Sequence, residues 1–286
     1  MTEYADRFWT SRDGLKLHFR DYEGRQDRPP VICLPGLTRN ARDFEHVAER
    51  LAGEWRVICV DLRGRGDSDY AKDSASYNPL QYADDLGQLF VQQELTRAVF
   101  FGTSLGGLIT MITALTAPQL MAGVLLNDVG PELDPAGIER IRTYVGQGRS
   151  YPTWMHAARA LEESQAEAFP DYSLTDWLGM AKRCMAVGSN GRIHFDYDMK
   201  IAEPIVDAPP PAEPMDMWPA IAAMKNIPSL MLRGAKSDVL SEATHRKMAE
   251  LLPQGEAVTV PGVGHAPMLD EPEAVAAIDR LLARIP

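Results

Sequence analysis

A serine between two glycines is the residue of this chain that most clearly suggests chemistry. Ser104 lies in the pentapeptide Gly102-Thr103-Ser104-Leu105-Gly106, with an apolar run before it and a longer one after it. The first run predicts a buried strand and the second a buried helix, so the serine falls on a sharp strand-to-helix turn. Such a turn strains the backbone of the serine and lifts its hydroxyl clear of the chain. We therefore predict that Ser104 is a nucleophile.

A serine hydroxyl is a weak nucleophile at neutral pH and needs a base within hydrogen-bond reach. The chain has 6 histidines, and His265 is our candidate. It follows a predicted strand in the glycine-containing run 261–265, which leaves the imidazole free to reach over the edge of a sheet. The remaining histidines fall on a strand, on helix surfaces or in a central irregular segment, and are His18, His46, His156, His194 and His245.

The base in turn needs a carboxylate that orients its ring. Asp238 follows a predicted strand at 229–232 and stands after the serine and before the histidine in the chain. Asp128 ends the strand predicted before that one and is the alternative acid, although capping a loop or helix is its plainer interpretation. We favour Asp238.

Backbone N–H groups must also stabilise the charge that develops on the attacked oxygen. The N–H of Leu105, the residue after the nucleophile, is one candidate. The other is the N–H of Leu37, in the loop 34–40 that follows an early predicted strand, where Gly36 lets the backbone approach a substrate. These two groups are the predicted oxyanion hole.

Buried strands and helices alternate along the chain on both sides of Ser104. Apolar runs predict buried strands at 31–34, 57–60, 98–101, 124–127, 229–232 and 257–260, and an alternating run predicts an edge strand at 15–20. Helical spacing predicts helices at 40–51, 78–94, 105–117, 217–224, 241–252 and 271–283. This order predicts an α/β fold with a doubly wound, mostly parallel sheet, and such folds bind ligands at the carboxyl edge of the sheet.

The alternation stops after Asp128 and resumes near residue 215. Residues 131–214 predict a mainly helical cap, with helices at 135–145, 153–169 and 175–187 and a proline-rich connector at 209–214. The core would then consist of residues 1–130 and 215–286.

Seven of the 13 methionines fall between Met155 and Met224, with three tryptophans nearby. Such a soft, aromatic cap would suit an apolar acyl or ring substrate, although ordinary packing of the cap helices explains the same residues. Four further side chains are candidates to contact a carboxylate or lactone, and the sequence does not choose among them: Arg39, Arg142, Tyr144 and Arg183.

Several of these segments together resemble the α/β-hydrolase family, in its capped branch, over residues 15–285. The motifs that carry the resemblance are Leu34-Pro35-Gly36-Leu37, Asp61-Leu62-Arg63-Gly64-Arg65-Gly66-Asp67-Ser68, Gly102-Thr103-Ser104-Leu105-Gly106, Gly234 with Asp238, and Gly264-His265. The resemblance implies a serine hydrolase that cleaves a carboxylic ester or lactone of a small, largely apolar substrate through an acyl-enzyme. It also implies that the segment 61–68 is a structural turn whose arginines make ion pairs.

Departures from the family pattern reduce the number of reactions that this chain is expected to catalyse. Epoxide hydrolases and haloalkane dehalogenases place an aspartate where this chain has Ser104, which argues against both chemistries. Carbon–carbon bond hydrolases usually follow the histidine with tryptophan, whereas Ala266-Pro267 stands here, and Pro35-Gly36 replaces a common His-Gly pair. Carbon–carbon cleavage of a dienoate or diketone remains the alternative, and a non-catalytic ligand-binding protein on the same fold is the third hypothesis.

Composition limits the classes of partner. The chain has 286 residues and a formal net charge of −11, which disfavours nucleic acid and anionic membrane surfaces as partners. Three cysteines without metal-ligand spacing, at 33, 59 and 184, favour a reduced, cytoplasmic protein. No phosphate loop or dinucleotide fingerprint is present, so we expect a small-molecule substrate and neither a metal nor a cofactor. Monomer and homodimer remain open.

Overall fold

A computed structural model describes residues 2–206 and 215–286 of the chain. The strands are β1 (Ala5–Thr10), β2 (Lys16–Tyr22), β3 (Val31–Leu34), β4 (Val57–Val60), β5 (Ala98–Thr103), β6 (Met121–Asn127), β7 (Ser150–Tyr151), β8 (Met185–Val187), β9 (Ile193–Phe195), β10 (Ser229–Gly234) and β11 (Gly255–Val260). The α-helices are α1 (Glu45–Leu51), α2 (Pro79–Gln92), α3 (Leu105–Thr116), α4 (Pro135–Tyr144), α5 (Trp154–Gln165), α6 (Leu174–Cys184), α7 (Glu203–Val206), α8 (Trp218–Ala223), α9 (Glu242–Leu251) and α10 (Pro272–Leu282).

Eight strands form one sheet in the order β1-β2-β4-β3-β5-β6-β10-β11. The first two pairings, β1 with β2 and β2 with β4, are antiparallel, and every later pairing is parallel. The predicted α/β fold with a doubly wound, mostly parallel sheet is therefore confirmed. At the antiparallel end of the sheet the edge strand is β1 rather than β2. Apolar periodicity does not reveal β1, because five of its six residues are exposed.

Two hydrophobic cores cover the two faces of this sheet. Alternate residues of a strand point to opposite faces, so Ile32 and Phe100 pack on the side of α2, α3 and α8. Cys33 and Phe101, one position further along the same strands, pack on the side of α1 and α10. Burial on both faces explains why the central strands are continuous apolar runs in the sequence.

The chain between β6 and β10 leaves the sheet and returns, and we call residues 131–206 of this excursion the cap. The cap carries α4 to α7 together with a three-stranded antiparallel sheet in the order β7-β9-β8. The sequence predicted a mainly helical cap and no strand within it, because strands of two or three residues are too short to show an alternation. The predicted connector 209–214 and the predicted boundary at 214 lie outside the described residues.

The helices of the described residues include none with both the length and the apolar character needed to cross a bilayer. The longest, α2, has 14 residues.

The turn between β5 and α3 is packed so closely that two of its glycines have no space for a side chain. A Cβ built on Gly102 would lie 2.6 Å from the carbonyl oxygen of Gly106. A Cβ built on Gly106 would lie 2.0 Å from the carbonyl oxygen of Leu34, in the neighbouring strand β3. The absence of a side chain at both positions therefore lets strand, turn and helix meet.

We expect Gly106→Ala to lower the free energy of unfolding by about 1–3 kcal/mol or more, because the added methyl collides with backbone that cannot yield. Thermal and urea denaturation measure the change. Gly87→Ala is the matched control, since nothing lies within 4 Å of a Cβ at that position of α2. An alanine in a helix interior should leave stability unchanged or raise it by up to about 1 kcal/mol. Equal melting temperatures for the two variants would contradict the packing argument.

Candidate active site

Ser104 lies on the strained turn that the sequence predicted. Its backbone torsion angles are φ 51° and ψ −114°, a region that residues other than glycine rarely occupy. The surrounding hydrogen bonds hold it there, because its N–H donates to the carbonyl of Asn127 at 3.0 Å and its own carbonyl accepts from Gly107 and Leu108. The side chain is thereby directed away from α3 and into a cavity.

The imidazole of His265 lies beside this hydroxyl, as predicted. The distance between His265 Nε2 and Ser104 Oγ is 2.9 Å. Two hydrogen bonds fix the loop after β11 that carries the histidine: Gly264 N–H donates to the carbonyl of Ala168 at 2.7 Å, and the amide of Asn127 donates to the carbonyl of Pro267 at 2.8 Å. The ring is 9% exposed, so solvent reaches it mainly through the cavity.

The other ring nitrogen faces Asp128. Oδ2 of Asp128 lies 2.7 Å from His265 Nδ1, and the carboxylate is fully buried. Burying a charge is costly unless donors surround it. Here Gly234 N–H donates to Oδ1 at 2.9 Å and the Ser237 hydroxyl donates to Oδ2 at 2.7 Å. Asp128 thus orients the imidazole and is itself held by the loop after β10.

The preference for Asp238 as the partner of His265 was wrong. Asp238 instead accepts two hydrogen bonds from the guanidinium of Arg140 in α4, one of them at 2.9 Å. This contact is also the main reason that the pKa of Asp238 lies below its usual value. The loop after β10 brings Ser237 to the site and directs Asp238 toward the cap.

Sheet order explains why the alternative acid is the one in place. β6 pairs directly with β5, the strand that leads to Ser104, whereas β10 is one strand further away. Asp128 follows the last residue of β6 and therefore lies close to Ser104. Chain order alone allowed both aspartates, and only the pairing of the strands separates them.

The two predicted oxyanion donors flank Ser104. Leu37 lines the same cavity as Ser104, and Leu105 is the first residue of α3. Within the described residues, neither of their N–H groups donates to a protein acceptor. A Cβ built on Gly36 would lie 3.7 Å from Ser104 Cβ, so the loop 34–40 runs against Ser104. Leu37 thus lies beside Ser104 in space, and Leu105 follows it directly in the chain.

The segment Asp61–Ser68 is a turn, and its two arginines have different roles. Arg63 is fully buried and pairs with Asp85 and Asp13, as the family resemblance implied. Arg65 is also buried but has no ion pair among the residues that the structure describes.

Arg65 instead connects the turn to the loop 34–40, which we call the oxyanion loop after its predicted role. Its Nε donates to the carbonyl of Leu37 at 3.0 Å, and its Nη1 donates to the hydroxyl of Tyr82 at 3.0 Å. The guanidinium also lies near the rings of Tyr77 and Tyr82, with centroid distances of 5.7 and 5.1 Å. Sequence reasoning missed this function, because a contact to a backbone carbonyl leaves no pattern in the chain.

One cluster of a histidine and two aspartates is spaced closely enough to bind a metal ion, but its hydrogen bonds indicate a structural role. His18, Asp61 and Asp67 each place a ligand atom within 4.8 Å of the others. Both nitrogens of His18 already bond to carboxylates, Nδ1 to Asp61 at 2.6 Å and Nε2 to Asp6 at 2.9 Å. Asp61 also accepts the N–H of Ala41 at 2.6 Å. The cluster thus fastens the 3₁₀ turn that follows the oxyanion loop to strand β2.

A cavity of about 400 Å³ lies over Ser104, between the core and the cap. Among its described lining residues the charged side chains are Arg39, Arg140, Arg149 and Asp43. Of the four candidates to contact a carboxylate or lactone, Arg39 and Tyr144 line the cavity, whereas Arg142 pairs with Glu139 on the surface and Arg183 lies beside His46.

The methionine-rich lining proposed from the sequence is not observed. No cap methionine or tryptophan is among the described residues that line the cavity. Trp177, Met180 and Met185 are instead almost fully buried, where they pack with Phe169 inside the cap. The ordinary packing interpretation of these residues was therefore the right one, and the cavity has a mixed polar and aromatic lining.

Comparisons with known proteins find relatives that cover most of this chain. A solved α/β hydrolase from Novosphingobium aromaticivorans is 61% identical, with a TM-score of 0.95 and full coverage of both chains. A 3-hydroxybutyrate-oligomer hydrolase from Cupriavidus necator is 35% identical over 255 residues, which are 86% of this chain and 85% of the relative. The sn-1-specific diacylglycerol lipase ABHD11 of Mus musculus is 26% identical over 91% of this chain and 82% of its own length.

The sequence model of the alpha/beta hydrolase family matches residues 31–278, from the first buried strand to the last helix. That range includes Ser104, Asp128 and His265, which the fold brings into one hydrogen-bonded row. The chain therefore belongs to the alpha/beta hydrolase family.

Proposed function

We propose that this hydrolase cleaves carboxylic esters, including the cyclic esters called lactones, through a covalent acyl-serine. The observation that carries the proposal is the hydrogen-bonded row Asp128–His265–Ser104, with distances of 2.7 and 2.9 Å. A hydroxyl, an imidazole and a buried carboxylate in this order form the arrangement that activates serine in hydrolases.

The reaction starts when His265 Nε2 takes the proton of Ser104 as the oxygen attacks the ester carbonyl. Asp128 accepts from Nδ1–H, which fixes the tautomer and stabilises the imidazolium. His265 then gives the proton to the leaving alcohol, and the acyl group stays on Ser104. A water that His265 deprotonates attacks this acyl-enzyme, and the acid leaves as the serine recovers its proton.

Leu37 and Leu105 supply the N–H groups for the negative oxygen of the two tetrahedral intermediates. Removing one such donor costs on the order of 3 kcal/mol in other serine hydrolases. Since both groups lack a protein acceptor within the described residues, neither has to break a protein hydrogen bond before it binds the oxyanion.

The activities for which two relatives are named support hydrolysis of this kind. One is named a 3-hydroxybutyrate-oligomer hydrolase and another a diacylglycerol lipase. Oligomers of 3-hydroxybutyrate are therefore the first natural esters to assay with this chain.

A fluorophosphonate probe tests the nucleophile. We expect the probe to label the wild-type protein covalently and to spare Ser104→Ala, because the phosphorus is attacked only by an activated serine. Intact-mass spectrometry and a burst of p-nitrophenol from p-nitrophenyl acetate measure labelling and acyl-enzyme formation. Equal labelling of both proteins would rule out Ser104 as the nucleophile.

The two aspartates provide a matched test of the orienting acid. We expect Asp128→Asn to lower kcat for p-nitrophenyl acetate by about 10⁴-fold, because an amide at this position favours the wrong imidazole tautomer. Asp238→Asn should stay within about threefold of wild type, because a single charge pair at a half-exposed site has a small energy. A larger loss in Asp238→Asn than in Asp128→Asn would reverse the assignment.

Substitution of Arg65 tests whether this side chain positions the oxyanion loop. We expect Arg65→Met to lower kcat by roughly 10- to 100-fold with little change in KM, because Leu37 loses its tether. Affinity for a boronic acid, which forms a tetrahedral adduct on Ser104, should fall in parallel. Melting temperature measures the purely structural part of the effect. A loss of stability with unchanged kcat and unchanged boronic acid affinity would show that Arg65 does not position the loop.

A further inference from the structure

The charge of the cavity is opposite to the charge of the protein. The chain carries a formal net charge of −11, yet three arginines and a single acid, Asp43, are the charged residues of the described cavity lining. A concave site lined by one sign of charge attracts ligands of the other sign. This observation directs attention to an anionic group on the substrate.

The three arginines differ in how many of their N–H donors are already bound to protein acceptors. Arg140 is committed to Asp238 through two hydrogen bonds. Arg149 is exposed and has no side-chain hydrogen bond or ion pair among the residues that the structure describes, which suits it to attract an anion rather than to fix one.

Arg39 is the arginine that is both enclosed and undersupplied with acceptors. Its side chain is 17% exposed. Its strongest contact within the described residues is one ion pair, 3.3 Å from Nε to Asp43 Oδ2. Its other polar neighbours are two weakly accepting sulfur atoms, Met268 Sδ at 3.7 Å from Nη2 and the thiol of Cys184. A guanidinium has five N–H donors, and an enclosed one normally uses most of them.

Arg39 also stands next to the nucleophile. A Cβ built on Gly36 would be in ordinary contact with both residues, 3.6 Å from Arg39 Cγ and 3.7 Å from Ser104 Cβ. The stem of Arg39 therefore runs along the same patch of backbone as the reacting serine. A group bound to this guanidinium would belong to the same small molecule as the carbonyl that Ser104 attacks.

We propose that Arg39 binds a carboxylate of the substrate, so that the preferred substrates are small esters that carry a free carboxylate a few bonds from the scissile carbonyl. This inference rests on the proposed ester hydrolysis and specifies its substrate class. The planar guanidinium matches a carboxylate with two parallel hydrogen bonds. Asp43 offsets part of the charge of Arg39, which favours a monoanionic carboxylate over a dianionic phosphate.

Matched substrates test the proposal. Mono-p-nitrophenyl glutarate carries the carboxylate, and p-nitrophenyl pentanoate has a methyl group at the same distance from the carbonyl. We expect the wild-type protein to prefer the glutarate in kcat/KM by at least about tenfold. In Arg39→Leu that preference should fall roughly 10- to 100-fold, mainly through KM, because a hydrogen-bonded charge pair is lost.

Two further variants make the result specific. Arg142→Leu is the control, because that arginine pairs with Glu139 outside the cavity, and its preference should equal that of wild type. Arg39→Leu leaves Asp43 without its partner, so the double variant Arg39→Leu/Asp43→Asn is needed if the single variant unfolds. The double variant should show the same lost preference with a restored melting temperature.

The outcomes separate the two proposals. Equal wild-type rates on the two esters, or an equal loss on both in Arg39→Leu and in the double variant, would overturn carboxylate binding and leave ester hydrolysis standing. Turnover of both esters by Ser104→Ala at the wild-type rate would overturn ester hydrolysis itself. Inhibition of the wild type by inorganic phosphate that is stronger than inhibition by glutarate would overturn the choice of carboxylate.

Discussion

A buried carboxylate holds the site of this protein together. Asp128 lies at the end of β6 without contact to solvent, and three donors from two other loops surround it. Because an unpaired charge in the interior is very costly, the loops that supply Gly234, Ser237 and His265 must close around it. The imidazole is therefore placed before any substrate arrives. The strained Ser104 faces the imidazole from the end of β5, whose pairing with β6 sets the position of Asp128 relative to Ser104.

The features of this structure that depend on local sequence pattern could be predicted from the sequence. The strands buried on both faces, the turn around Ser104 and the glycine-containing run before His265 were predicted from apolar periodicity and glycine spacing. The acid was missed because Asp128 and Asp238 both follow strands, and a linear sequence does not state which strand lies beside β5. β1 was missed because its residues are mostly exposed, and the cap strands because they are too short to alternate.

The cap illustrates a second limit of pattern reasoning. Methionine and tryptophan in the cap suggested an apolar lining, yet Trp177 and Met180 form a separate core that keeps the cap folded. Composition reports how much apolar surface a segment has, but not which side of it faces the substrate. The side chains that do face the cavity include Arg39. The loop that carries Arg39 is held by Arg65, which donates a hydrogen bond to the carbonyl of Leu37. The proposed oxyanion donor Leu37 and the proposed carboxylate-binding Arg39 thus lie in one loop of the core.

The ion pair between Asp238 and Arg140 makes one contact between the cap and the core dependent on ionic strength. It joins α4 to the loop after β10, next to the residues that hold Asp128, and its two side chains are 35% and 38% exposed. At such exposure dissolved ions screen the attraction, over a Debye length of about 10 Å at 0.1 M ionic strength and about 3 Å at 1 M. The small contribution of this pair to the packing of α4 over Ser104 therefore decreases as ionic strength rises, whereas the enclosed contact of Asp128 with His265 is shielded from dissolved ions.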